Sequence, residues 1–206
     1  MPQAQPARLL EPTAPFHKAV DVPGAAIRET EVKYRVDGYE DLVRALALRG
    51  IRLGAPVVQD DQAYAKLGWR YGDSKVDVPF VRLRTQDDRH LFTMKRPVDN
   101  ELSCIEHETE VADRDAMHHA VLAMGFYPTV RILKTRRTGR YGDLSLCLDD
   151  VTGIGWFFEV ECLTAGADGL ADQARMHRFV SSLGVALERT SATYDSLIRQ
   201  AQPVAV

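Results

Sequence analysis

Charged residues recur in this chain at alternate positions of short runs rich in β-branched and aromatic residues. Glu29, Glu31 and Lys33 alternate in R-E-T-E-V-K-Y-R-V, Arg82 and Arg84 in V-R-L-R, and Thr93 and Lys95 in T-M-K-R-P. Glu106, Glu108 and Glu110 alternate in E-H-E-T-E, Lys134 and Arg136 in L-K-T-R, and Glu159 and Glu161 in W-F-F-E-V-E-C-L, while Asp149 lies in L-C-L-D-D-V. Successive side chains of a strand point to opposite faces, so each set shares one face. Clustered carboxylates repel one another and titrate upward unless a cation sits between them. Oxygen-only clusters without His or Cys suit Mg²⁺ or Mn²⁺. The bases Lys33, Arg82, Arg84, Lys95, Lys134 and Arg136 could hold several phosphates, Arg as a bidentate fork and Lys as a point charge. Acids, a divalent ion and a set of bases together describe a site for a polyphosphate. The competing reading is an ordinary solvated sheet face, the commonest fate of alternating charge. Two features oppose it: Asp149, Glu159 and Glu161 sit in strongly apolar runs, and acids and bases are segregated onto different strands.

Other chemistries lack their signatures. G-x-x-x-x-G-K-[ST] does not occur, G-x-S-x-G does not occur, and Gly153-Ile154-Gly155 reads as a turn. The six His include no H-E-x-x-H, and adjacent His118 and His119 point in different directions on any regular element. The three cysteines, Cys104, Cys147 and Cys162, have no C-x-x-C spacing. They read as small apolar strand residues in a reducing, cytoplasmic compartment rather than as a disulfide framework or zinc knuckle.

The elements that must position the charges follow from pattern. Strands are expected at 28–36, 57–67, 80–85, 91–96, 101–111, 129–138, 144–151 and 156–163. A Q-D-D-R turn joins the third and fourth as a hairpin, and further turns lie at Gly139–Gly142 and Gly153–Gly155. Asp37 is expected to cap a helix over 39–49 stopped by Gly50, and Asp113 one that ends at Gly125; two more helices are expected at 167–183 and 193–200. Residues 68–79 read as a polar loop. Short connections imply antiparallel pairing. Eight antiparallel strands can close into a barrel wide enough for side chains or one small ligand, so the fold class is α+β: an eight-stranded antiparallel closed barrel with a few flanking helices. A two-layer α+β sheet is the competing architecture.

Length and composition agree with one domain. The chain has 206 residues, 45% hydrophobic and 27% charged, ordinary globular values that exclude disorder along its whole length. A net charge of -3 disfavours a nucleic-acid coat protein, and no stretch approaches the roughly 20 apolar residues of a membrane helix. Half of the ten prolines fall in residues 1–25, which read as a disordered Pro/Ala-rich tail before a single domain at 26–200.

The E-x-E-x-K of Glu29–Lys33 resembles the first motif of the CYTH, or triphosphate tunnel metalloenzyme, superfamily. The other charged motifs follow in that family's order through L-D-D-V-T-G-I-G (148–155) and F-E-V-E (158–161) to a closing S-A-T-Y-D-S-L (191–197) similar to its terminal S-Y-x-x-L element. The resemblance implies an eight-stranded tunnel with inward charges and a Mg²⁺- or Mn²⁺-dependent enzyme acting on a nucleotide or other triphosphate. By position it implies metal-side carboxylates Glu29, Glu31, Glu108, Asp149, Glu159 and Glu161. It implies phosphate-side bases Lys33, Arg82, Arg84, Lys95, Lys134 and Arg136. Glu106, Glu108 and Glu110 share a face and are not ranked. Asp149 is preferred to Asp150 because it precedes the turn as the family's aspartate does.

Within the family the pattern is most similar to class IV adenylate cyclases, in which a ribose 3′-hydroxyl attacks the α-phosphorus and pyrophosphate leaves. Hydrolysis of inorganic or thiamine triphosphate is the alternative, with Lys33 or Lys95 as a base of lowered pKa. A non-catalytic binder of polyphosphate or a phosphorylated metabolite is a third reading, opposed by the number of acids beside the bases. The last two helices either brace the barrel or pair it into a homodimer.

Overall fold

The computed structural model describes residues 27–164 and 168–202; the expected tail at 1–25 lies outside them. The strands are β1 (Arg28–Arg35), β2 (Val57–Lys66), β3 (Phe80–Gln86), β4 (Arg89–Asn100), β5 (Ser103–Val111), β6 (Phe126–Tyr141), β7 (Leu144–Val151), β8 (Gly155–Thr164) and β9 (Glu188–Thr190). The helices are α1 (Tyr39–Leu48), α2 (Arg114–Ala123), α3 (Gly169–Ser181) and α4 (Tyr194–Ala201). The sheet runs β5-β4-β3-β2-β6-β7-β8-β1-β9, and a further β5–β1 pairing closes the first eight strands into a barrel, every pairing antiparallel.

The seam lies at β1. One edge of that strand pairs with β8 along its length. The other is shared, β5 meeting Arg28–Thr30 and β9 meeting Lys33–Arg35. Between these two partners the Glu31 N–H donates to the Leu102 carbonyl at 2.8 Å, and the Glu31 carbonyl accepts from Gln173 Nε2 of α3 at 3.0 Å. The gap in the ladder is thereby satisfied by a loop and a helix, as buried backbone groups require.

The apolar faces of the strands point outward, under the helices. Val32, Tyr34, Leu146, Leu148, Phe158 and Val160 are buried against Leu42 and Leu46 of α1 and Met176, Phe179 and Val180 of α3. Tyr64, Val81 and Leu83 are buried against Val121 of α2. With one face spent on the helices, alternation sends the charged face inward, so the solvated-sheet reading is overturned.

Sequence expectation and structure differ at few places. The short strand β9 was not anticipated. Gly139 lies inside β6 rather than in a turn; a Cβ there would meet the Arg52 carbonyl oxygen at 3.0 Å and Leu53 Cδ2 at 3.1 Å, so the glycine serves close backbone approach. Asp37 is not the cap of α1: Gly38 holds that position without a side-chain bond. Asp113 does cap α2, accepting from Asp115 N and Ala116 N. The Q-D-D-R turn has positive φ at Asp87 (48°) and Asp88 (62°), the tight hairpin geometry that Asp tolerates. All three cysteines are free and buried in strands. No helix among the described residues is long and apolar enough to cross a membrane.

Candidate active site in the barrel interior

The interior is a cavity of about 620 Å³ lined by alternate residues of all eight barrel strands. Two groups of charge face each other across it. On the wall of β1, β7 and β8, Glu31, Glu159 and Glu161 bring carboxylate oxygens within 4.8 Å of one another. Lys33 lies 3.1 Å from both Glu31 and Glu159. Arg136 of β6 reaches Glu161 at 3.4 Å and also pairs with Glu159. Asp149 is fully buried and saturated: Lys134 Nζ (2.9 Å), Arg136 Nη2 (2.6 Å) and the Tyr194 hydroxyl (2.9 Å) donate to Oδ2, and Arg136 Nε (2.7 Å) to Oδ1.

On the wall of β3, β4 and β5, Lys95 bridges Glu29 (2.8 Å) and Glu106 (2.6 Å). Arg82 donates to Glu108 (3.1 Å) and Thr93 (3.1 Å), and Thr93 in turn donates to Glu108 (2.8 Å). Between the walls Arg84 is gripped by Asp61 of β2 through two bonds of 2.7 and 2.8 Å.

The phosphate-side bases named from the sequence therefore all line the interior. All six carboxylates named for a metal contact a base; among them Glu31, Glu159 and Glu161 also converge on one another, while Glu29, Glu108 and Asp149 lie outside that group. The face shared by Glu106, Glu108 and Glu110 is now graded: Glu106 is the innermost, Glu108 is nearer solvent, and Glu110 leaves the tunnel to pair with exposed Arg89. Asp150 is exposed. Sequence reasoning missed Asp61, although Gln59, Asp61 and Ala63 alternate onto the tunnel face. It also missed Lys75, and met Tyr194 only within the closing S-A-T-Y-D-S-L element without assigning it a place in the cavity. Lys75 sits in the 68–79 loop, buried, donating to Thr193 Oγ1 (2.6 Å), Asp195 (3.0 Å) and Ser196 Oγ (2.9 Å) at the start of α4, and pairing with Glu101 (3.2 Å).

Titration follows these contacts. Burial, the Glu29 charge and the neighbouring Glu159 and Glu31 push Glu161 up to about 8, outweighing Arg136. Burial, and then repulsion from Glu29, push Glu106 up to about 7. Burial works to raise Glu29 too, but the charge and hydrogen bond of Lys95 win and hold it down at about 2. Lys33 and Lys95 are raised, their carboxylate partners outweighing burial. Lys134 is lowered, because burial and adjacent Arg136 outweigh Asp149 and Glu159. The expectation of a lowered lysine at 33 or 95 is thus corrected: each has two carboxylates against it, and the lowered lysine is the one beside an arginine. The convergent carboxylates fit a hard divalent cation, since they offer only oxygen, and since burial and neighbouring carboxylates raise Glu31 and Glu161 while Lys33 and Arg136 hold Glu159 low against burial.

The CYTH domain family model matches residues 28–194. A Methanocaldococcus jannaschii protein named "putative adenylate cyclase" is 23% identical over 174 residues, 84% of this chain and 94% of that one. The PH1819 protein of Pyrococcus horikoshii has the same fold, with a TM-score of 0.70 at 21% identity over 84% of this chain and 99% of that one. So does a Hippeastrum protein described as a putative adenylyl cyclase with a dominant triphosphatase activity: TM-score 0.60, 17% identity, 87% of this chain and 98% of that one. With the family match running through every strand of the barrel, this chain belongs to the CYTH domain family.

Proposed function

We propose that the protein is a divalent-metal-dependent enzyme acting on a nucleoside triphosphate, converting ATP to cyclic AMP and pyrophosphate. The observation that carries this reading is the convergence of Glu31, Glu159 and Glu161 inside a closed tunnel that Lys33, Arg82, Arg84, Lys95, Lys134 and Arg136 also line. A second feature favours a substrate with an organic end: Trp69, Phe80 and Leu102 line the same cavity, and its volume falls in the range of roughly 300–1,000 Å³ usual for small-molecule pockets. A bare triphosphate would leave the aromatic surface unused.

Glu31, Glu159 and Glu161 would hold Mg²⁺ or Mn²⁺, with Asp149, Glu29 and Glu108 orienting the bases around them. Such an ion, when bound, lowers the pKa of a hydroxyl and neutralises developing charge. The chain's own part is positioning and electrostatic stabilisation, the larger share of catalysis in phosphoryl transfer. Arg82, Arg84, Lys134 and Arg136 grip phosphoryl oxygens, each exchanging a carboxylate contact for a phosphate one. Lys33 and Lys95 are the catalytic lysines: held protonated by their acids, they donate to the oxygens on which charge grows as the bond to pyrophosphate breaks.

Triphosphate hydrolysis is the second reading. It is favoured by the Hippeastrum protein's described activity and by Lys134, whose lowered pKa moves it toward the range of a general base. Incubation with ATP, inorganic triphosphate and thiamine triphosphate, with Mg²⁺ and with Mn²⁺, separates the readings. Cyclic AMP and pyrophosphate are the expected products from ATP. Orthophosphate without cyclic nucleotide would replace the cyclase by a hydrolase, and binding without turnover by a non-catalytic binder.

A further inference from the structure

Tyr194 belongs to none of the barrel strands, yet its side chain lies in the middle of the charged wall. It is the first residue of α4 and is buried to 8% exposure. Its hydroxyl donates to Asp149 Oδ2 at 2.9 Å. Its ring is approached by two lysines, Lys33 Nζ at 4.3 Å and Lys134 Nζ at 4.8 Å from the centroid. Phe157 holds the ring edge-on at 5.3 Å. One side chain thus touches the acid and both lysines that connect β1, β6 and β7. A desolvated cation over an aromatic face is attracted by the ring quadrupole, and here two cations of like charge share one ring. Without it, Lys33 and Lys134 would keep only their carboxylates to fix their direction.

The helix that carries Tyr194 is itself tied down beside the site. Lys75 donates to Thr193, Asp195 and Ser196, the residues flanking Tyr194. Arg199 of α4 also lies over the Tyr71 ring at 4.8 Å. The 68–79 loop therefore fixes where the tyrosine enters.

We infer that Tyr194 is a positioning residue of the triphosphate site: its hydroxyl orients Asp149 and its ring aims Lys33 and Lys134 at the phosphates, with Lys75 setting the docking of α4. This rests on the proposed triphosphate reading, and the test is built to separate the two. Full-length wild type, Tyr194→Phe, Tyr194→Leu and Lys75→Met are compared by thermal unfolding, by calorimetric binding of inorganic triphosphate in EDTA, and by turnover of ATP with Mn²⁺. Tyr194→Phe keeps the ring and loses only the hydroxyl. It should bind triphosphate within about threefold of wild type while kcat falls by about 10–100-fold, the scale of orienting contacts around a metal site. Tyr194→Leu loses the ring as well and should also weaken metal-free triphosphate binding about tenfold or more, and Lys75→Met should shift binding in the same direction by a smaller factor. Wild-type binding and kcat in Tyr194→Phe and Tyr194→Leu would overturn the inference. So would losses in the variants that only track the unfolded fraction. If wild type binds triphosphate but turns over no substrate, the cyclase and hydrolase readings fail, and the binding comparison alone decides for or against Tyr194.

Discussion

Arg84 is held by Asp61 through two hydrogen bonds, with the two side chains 7% and 3% exposed. Removing one partner of such a pair strands a buried charge, at a cost of about 3–5 kcal/mol. Arg84→Ala should therefore lower stability by that amount as well as weaken substrate capture. The Arg84→Leu/Asp61→Leu double variant should lose much less than the two single changes added together, measured by urea denaturation. At the wall proposed to hold the metal, Glu159→Ala or Glu161→Ala should reduce turnover by more than about 100-fold, beyond the range typical of outer contacts. Full activity in either variant, measured over a Mn²⁺ titration, would remove that carboxylate from the metal set. The raised carboxyls also set a pH dependence. Glu106 near 7 and Glu161 near 8 bind protons in the folded state that the unfolded state has released. Their contribution is full below about 4.5 and is lost as pH rises through 7 to 8. Glu29 acts oppositely, its contribution present above about 4.5 and lost as pH falls through about 2. In EDTA, denaturant midpoints should decline from pH 5 to pH 8; a rise over that window would contradict the clustered-carboxylate picture.

At the scale of elements, the barrel depends on how β1 is closed. Gln173 of α3 is buried, donates to the Glu31 carbonyl and exchanges hydrogen bonds with Asn100 at 3.0 and 3.2 Å. Gln173→Leu leaves that carbonyl and the Asn100 amide Nδ2 without their partner, while Asn100 Oδ1 keeps the Leu102 N–H, and should cost about 1–3 kcal/mol for each group left unpaired. Activity should fall with it, because Glu31 is the residue whose backbone is released. Amide exchange at Val32 and Lys33 faster than in wild type, with the other strands unchanged, would locate the damage at the seam. The strands and helices themselves were legible in the sequence, since β-branched runs, turn residues and the Asp113 cap are local signals. β9 was not: three residues, Glu188–Thr190, become a strand only because the β1 edge at Lys33–Arg35 is open to them. Gly139 was misread for a related reason, since the segment it admits, Ile51–Leu53, is distant in sequence.

For the whole molecule, helices on the outside and charge on the inside give an interior in which each of Lys33, Arg82, Arg84, Lys95, Lys134 and Arg136 contacts a carboxylate, with carboxylates in excess of bases. On the proposed function, a triphosphate with a divalent ion would enter that set by replacing carboxylate contacts of the bases and neutralising the Glu31, Glu159 and Glu161 group. Binding to the folded chain alone stabilises it by about 2.7 kcal/mol at a hundredfold excess over Kd. A thermal scan should show the largest rise in Tm with Mn²⁺ and inorganic triphosphate together. No shift at saturating concentrations of both would argue against an interior site.

By itself the sequence determined which side chains share a face, because period-two alternation is a property of the strand backbone. It also set the types of charge brought together, and the order of motifs that resembles the CYTH family. Tertiary structure decided which face is interior, since only the packing of α1, α2 and α3 on the apolar sides turns the charged sides inward. It decided that Glu31, Glu159 and Glu161 converge while the other acids lie apart from them, because register across β1 and β8 fixes which oxygens meet. It also brought Tyr194, which the sequence offers only as part of the closing S-A-T-Y-D-S-L element, onto Asp149, and Lys75 onto the start of α4, from partners that lie far away along the chain.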